Sequence, residues 1–98
     1  MNVVDQSNQV KLSGIISKVY PLMTSPTGAV ISRIILTHNS QQLESKVLRK
    51  VHCNIFCVAI NQNLSQEWLN CQVVVSGFLS MNMQKQIVLH ITNLQNLD

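Results

Sequence analysis

The residues that could do chemistry cluster in one stretch of this chain. Lys46, Arg49 and Lys50 lie close together, His52 follows two residues after Lys50, and Phe56 four after that. In an extended strand alternate residues share a face, so Lys50, His52 and Phe56 form one row. Cations followed by an imidazole and a ring suit a single-stranded polyanion: the charges meet phosphates and the flat groups meet bases. The competing reading is a solvated strand whose Lys and Arg keep the protein soluble. Outside this stretch the cations are Lys11, Lys18, Arg33 and Lys85.

Catalytic arrangements are missing. The acids are Asp5, Glu44, Glu67 and Asp98, two near the termini and two on expected connections, so no carboxylates pair within an element. His52 and Cys53 are strand neighbours pointing to opposite faces, which prevents a nucleophile–base pair. There is no nucleophile elbow and no phosphate-binding glycine loop. Cys53, Cys57 and Cys71 sit in apolar runs and read as buried free thiols of a reducing cytoplasm. A zinc site would need a second pair of ligands beside Cys53 and Cys57. The expectation is a binding protein, not an enzyme, with no metal and no cofactor.

The 98 residues match one small domain, here taken as 1–98 with residues 1–8 a flexible arm. Formal net charge is +3. Charged residues are 11% of the chain, so its polar surface must come from 10 Asn, 10 Gln and 10 Ser. The 25 Val, Ile and Thr against two Ala favour strands over helices. No apolar run is long enough to cross a membrane, and residues 1–9 are too polar for a secretory leader.

Alternating patterns place strands at Gln9–Tyr20, Ala29–His38, Val47–Ile60, Cys71–Ser80 and Ile87–Leu94. In the first, alternation slips after Ser17, and a bulge there restores the phase. Thr24–Gly28 reads as a turn, Asn39–Lys46 as a longer polar connection, and Met81–Gln86 as a short hairpin link. Asn63–Leu69 is the one candidate helix, with Leu64, Trp68 and Leu69 on one side. The order β-β-β-α-β-β, with Gly14 and Gly77 inside strands that must coil, predicts an all-β OB-fold barrel of five strands, with one short helix between strands three and four.

Trp68 reads as a plug for the barrel, because Leu64 and Leu69 share its side. Phe78 is expected to face outward, and Tyr20 lies ambiguously at a loop edge. His38 and His90 read as hydrogen-bonded, half-buried rings without a shared partner. Val3, Val4, Ile15, Ile31, Ile35, Val74 and Phe78 fall outside the expected interior. That much apolar surface points to an interface, and a symmetric dimer is the simplest closed assembly.

Several motifs in this order resemble the primosomal replication protein N family, PriB. They are Leu12-Ser13-Gly14, Ser25-Pro26-Thr27-Gly28, Ile35-Leu36-Thr37-His38-Asn39-Ser40, Arg49 with Cys53, Val73-Val74-Val75-Ser76-Gly77-Phe78-Leu79-Ser80 and Val88-Leu89-His90. The resemblance runs from about residue 10 to 94 and extends more distantly to single-stranded DNA-binding proteins. It implies a homodimeric OB-fold protein of replication restart that binds single-stranded DNA, holds the helicase PriA on DNA and helps bring in DnaT. Arg49 matches a basic family position. His52 stands where members carry a stacking tryptophan, Val47 where they carry a phenylalanine, Asn39 where an arginine occurs and Met23 where a lysine occurs. The link Met81–Gln86 is shorter than the family's lysine-rich loop. The resemblance thus implies weak, salt-sensitive binding carried by Lys18, Lys46, Arg49, Lys50, His52 and Lys85. The alternative is an OB-fold protein–protein adaptor with negligible nucleic-acid binding.

Overall fold

A computed structural model describes residues 3–98. Its strands are β1 (Val10–Val19), β2 (Met23–Thr24), β3 (Val30–Glu44), β4 (Val47–Ile60), β5 (Gln72–Met81) and β6 (Ile87–Asn96). They run in the order β1-β5-β6-β4-β3-β2, and β1 also pairs with β3. That last pairing closes five strands into an OB-fold barrel, with the two-residue β2 laid on the edge of β3. All pairings are antiparallel except β4 with β6, where Phe56, Cys57 and Val58 meet Val88, Leu89 and His90.

Closure depends on β1 changing partners. Its residues 10–15 pair with β5, and residues 15–19 pair with β3. The expected bulge is present: the register shifts between Ile16 and Lys18. Ser17 and Lys18 both point to solvent, and Val19 returns to the interior beside Ile16. Two glycines allow the close approach. A Cβ on Gly14 would lie 2.4 Å from the Thr37 carbonyl oxygen, and one on Gly77 would lie 1.7 Å from that of His90. At Gly77 a second bulge slips β5 against β6.

The interior holds Ile16, Val19, Ile34, Leu36, Cys57, Ala59, Val73, Val75, Leu89 and Ile91, capped by Leu64. Trp68 packs against this core, as a plug should. The segment carrying it is not the expected helix over 63–69 but a single 3-10 turn, Gln66–Trp68. Three apolar residues cannot sustain two helical turns, and barrel contacts fix the backbone instead. Buried Ser32 donates to the Gln62 carbonyl and accepts from the Leu64 amide at 3.0 Å. Gln66 Nε2 donates to the Val19 carbonyl at 3.0 Å.

Other expectations need correction. Asn39–Lys46 is not a loop: β3 runs on to Glu44, joined to β4 by Ser45 and Lys46 alone. Both have positive φ, 50° and 68°, as a two-residue hairpin turn of the twisted type requires. Residues 41–44 and 47–50 are exposed throughout and form an arm beyond the barrel. Cys53 is exposed as well, because β4 has not yet reached the core there, while Cys71 is half-buried. Ile87, the first residue of β6, lies exposed. Asn8, the last residue of the expected arm, is bound to β5: its side chain donates to the Leu79 carbonyl at 2.9 Å and accepts its amide at 3.0 Å. Residues 1–2 of the expected flexible arm lie outside the described residues. Among the described residues no helix is long and apolar enough to cross a membrane.

Two outcomes follow from this packing. Gly77→Ala forces the β5–β6 backbones apart and is expected to cost about 2–3 kcal/mol or more, read as a lower urea midpoint. Burial pushes the Cys57 thiol from 9.0 up to about 12. The folded chain keeps a proton that the unfolded chain releases, so its contribution is intact below pH 9 and is lost as pH rises toward 12. Urea unfolding at about pH 8 and about pH 10.5 should show a larger loss for the wild type than for Cys57→Ala, at most about 1.4 kcal/mol per pH unit.

Candidate nucleic-acid interface

The outward face of the β3–β4 pair carries a ladder of cross-strand neighbours. From the arm tip inward these are Leu43–Leu48, Gln41–Lys50, Asn39–His52, Thr37–Asn54, Ile35–Phe56 and Arg33–Val58. Lys50, His52 and Phe56 therefore do share a row. His52 Nδ1 lies 2.7 Å from Asn39 Oδ1, which sets the exposed ring across the sheet. One row inward, the Thr37 hydroxyl lies 2.8 Å from Ser17 Oγ and 2.7 Å from Asn54 Oδ1. Asn39, Ser40, Gln41, Lys50, Val51 and His52 line a shallow hollow on the arm.

Arg49 is elsewhere. It pairs with Gln42 on the opposite face of the arm, in the row of Glu44 and Val47. Its Nε lies 2.8 Å from Glu44 Oε1. The pair is 58% and 69% exposed, so water screens it and it adds at most about 1 kcal/mol to stability. The cluster of Lys46, Arg49 and Lys50 is thus spread around a ribbon: Lys46 at the turn, Lys50 outward and Arg49 behind, beside an acid. Sequence proximity along a strand brings together only every second side chain.

Lys18 and Lys85 belong to a different end of the ladder. Lys18 pairs with Ile35, and its Nζ lies 4.6 Å from the centroid of the Tyr20 ring. Arg33 also approaches that ring, its guanidinium carbon 5.3 Å from the centroid. Phe56 meets Tyr20 edge-to-face, with centroids 5.8 Å apart and planes at 63°. Lys85 sits at positive φ in the link between β5 and β6, held by its amide to the Asn82 carbonyl at 3.0 Å. The next residues, Gln86 and Ile87, line a depression with Tyr20, Ile35, Asn54 and Phe56. Tyr20 and Arg33 are the side chains that spacing does not bring to the site. The ambiguous position of Tyr20 at the end of β1, near a lone Arg33 on the next strand, was their only signal.

The remaining rings have structural partners. His38 is held by the Ser13 carbonyl and Ser40 Oγ, each at 2.7 Å. His90 is half-buried as expected, and its ring stacks on Phe78 at 4.9 Å with planes 3° apart. Phe78 faces outward as expected and is 41% exposed.

A five-stranded OB barrel with a cationic, ring-bearing face on its second and third long strands has the architecture of single-strand binders. A family model described as "another single-strand binding protein family" matches residues 8–93. The replication restart protein PriB of Vibrio cholerae is 30% identical over 102 residues, covering 93% of this chain and 99% of its own. Among solved structures, PriB from Ralstonia solanacearum superposes with a TM-score of 0.80 at 20% identity, covering 93% of this chain and 98% of that one. A Plasmodium falciparum SSB in complex with ssDNA superposes at 0.68, with 19% identity and full coverage of both chains. The chain belongs to the PriB family of single-strand-binding-type OB proteins.

Because the Arg49–Glu44 pair is solvated, Glu44→Gln should leave the urea midpoint within about 0.5 kcal/mol of wild type.

Proposed function

We propose that this chain is a non-enzymatic accessory of replication restart in the cytoplasm that binds single-stranded DNA. Its DNA surface is the β3–β4 ladder with the neighbouring cations, and Lys18, Lys46, Arg49, Lys50, His52 and Lys85 are its contact residues. The observation that carries this reading is the alignment of Lys50, His52 and Phe56 along one outward row that runs from the arm onto the barrel. Phosphates follow the cations, and the imidazole offers one flat surface. Binding is weak and salt-sensitive, because the cations are few and Arg49 already has a carboxylate partner. The chain acts as one OB-fold domain and pairs with a second copy. It binds the helicase PriA and assists DnaT, in keeping with its family. The apolar residues left outside the core, Ile15 and Phe78 among them, support such contacts.

A second reading has its own support. Leu43 and Leu48 face each other at the arm tip, 70% and 66% exposed. An aliphatic pair held out in water suits a protein contact, which favours an adaptor with negligible nucleic-acid affinity.

Fluorescence anisotropy of a labelled single-stranded oligonucleotide separates the two. The DNA-binding reading expects micromolar or tighter affinity at low salt, falling steeply as salt rises. Arg49→Glu and Lys50→Glu should each weaken binding several-fold, and Lys50→Gln should reduce the salt slope by about 0.7. Glu44→Gln should strengthen binding by freeing Arg49. No binding at low salt, together with PriA capture that survives neutralising Arg49 and Lys50, would establish the adaptor instead.

A further inference from the structure

The β3–β4 arm leaves the edge of β4 open. β4 pairs with β3 along its whole length, from Glu44–Val47 at the turn to Ile31–Ile60, without a bulge. On its other side it meets β6 only from Phe56 onward. Backbone bonds in an antiparallel pair alternate sides along each strand. The Glu44–Val47 pair closes the two-residue turn, and past the far end Asn61 donates to the Val30 carbonyl at 2.7 Å. The odd-numbered residues of β4 therefore bond to β3. Leu48, Lys50 and His52 turn their N–H and C=O groups the other way. Among the described residues nothing outside the β3–β4 ladder bonds to those groups.

An open edge of this kind is normally blunted by a proline, a bulge or short length. The stretch Val47–Cys53 has none of these, and it runs for about 23 Å. All of it is exposed except half-buried Val51. Its charge decides which strand can join it. Two copies paired through this edge would bring two sets of Arg49 and Lys50 together, and like charges on neighbouring strands oppose that. An acidic strand meets no such opposition. Lys50, which has no acid beside it, stands with His52 on the outward face. Val47 and Val51 lie on the reverse face with Arg49, which Glu44 already offsets. The complementary strand thus carries acids on one face and small apolar residues on the other.

We propose that the open edge of β4 is a docking site for an extended acidic peptide of a protein partner, which joins the sheet as a further strand. Its backbone bonds to Leu48, Lys50 and His52, its acids flank Lys50, and its apolar residues lie against Val47 and Val51. This contact uses the edge of the ribbon. The DNA row and the Leu43–Leu48 pair use its outward face, so the site stands independently of both readings.

The probe is a fluorescein-labelled octapeptide of alternating Asp and Val, titrated with the full chain and read by anisotropy. It should bind the wild type at low salt, and the same peptide with Lys in place of Asp should not. Two further versions carry N-methyl groups, one on the Asp amides and one on the Val amides. Successive amides of a strand point to opposite sides, so only one version can still pair with β4. That version should bind like the parent, and the other should bind about tenfold or more weakly. Leu48→Pro removes one N–H from the open edge and spares the β3 ladder, and it should weaken binding of the parent peptide about 3- to 10-fold. Leu48→Thr keeps the N–H and should bind as the wild type does. Equal binding of the two N-methylated versions to the wild type would show that charge alone holds the peptide, as it would hold DNA phosphates, and would overturn strand addition. Equal weakening by Leu48→Pro and Leu48→Thr would move the contact to the arm tip and overturn the edge site. So would failure of the Asp peptide to bind, or equal binding of the Lys peptide, whatever the oligonucleotide titration gives. The N-methyl comparison uses the wild type and so decides the matter even where a variant fails to fold.

Discussion

Every other feature of this molecule depends on β1 serving two neighbours. Its first half hydrogen-bonds to β5 and its second half to β3. A flat strand cannot do both, so β1 must coil sharply, and it does so by a bulge at Ser17 and by close approach at Gly14. The opposite wall answers with its own slip at Gly77, where the His90 carbonyl occupies the place of a side chain. Opening either contact would unpair a strand edge and expose the buried Ile, Leu and Val of the interior.

The closed barrel also decides what faces outward. Once Ile34, Leu36, Cys57 and Ala59 are committed to the interior, period-two geometry commits Arg33, Ile35, Phe56 and Val58 to the outside. The same register continues into the arm, where no core remains. There the distinction between inside and outside disappears, and both faces carry polar or charged groups in water. Ser45 and Lys46 close the arm with left-handed backbone at two residues that are not glycine, a conformation costing roughly 1–2 kcal/mol at each. The many pairs between β3 and β4 hold them there.

Electrostatics follow from this geometry more than from the number of charges. Seven Lys and Arg on 98 residues are few. Glu44 faces Arg49 across the ribbon and offsets it, whereas Lys50, one residue on, points the other way and is free of that acid. Lys18 and Arg33 lie far apart in sequence yet converge on one ring, because β1 and β3 are neighbours there. The molecule thus separates a cationic ribbon from an aromatic cluster with its own cations, joined by a row of hydroxyls and amides at Ser17, Thr37 and Asn54.

The sequence by itself determined much of the barrel. Contrast between apolar and polar neighbours in β1 revealed even the bulge, since Ile16 and Val19 cannot both face inward without one. β4 could be read from Val47 to Ile60, and the shared row of Lys50, His52 and Phe56 followed from counting by two. Only the tertiary structure decided the rest. Residues 39–44 are polar on both faces except for Leu43, so they show no period, and they become a strand because Val47–His52 pairs with them. Cys53 looks buried in an apolar run, but β4 passes it before entering the core. Leu64, Trp68 and Leu69 mimic a helix at a place where barrel contacts impose a 3-10 turn. Tyr20 and Arg33 meet only because β1 and β3 are paired by closure. Local alternation records which side of a strand meets the core; it holds no record of where a strand outruns that core, nor of which distant strand lies beside it.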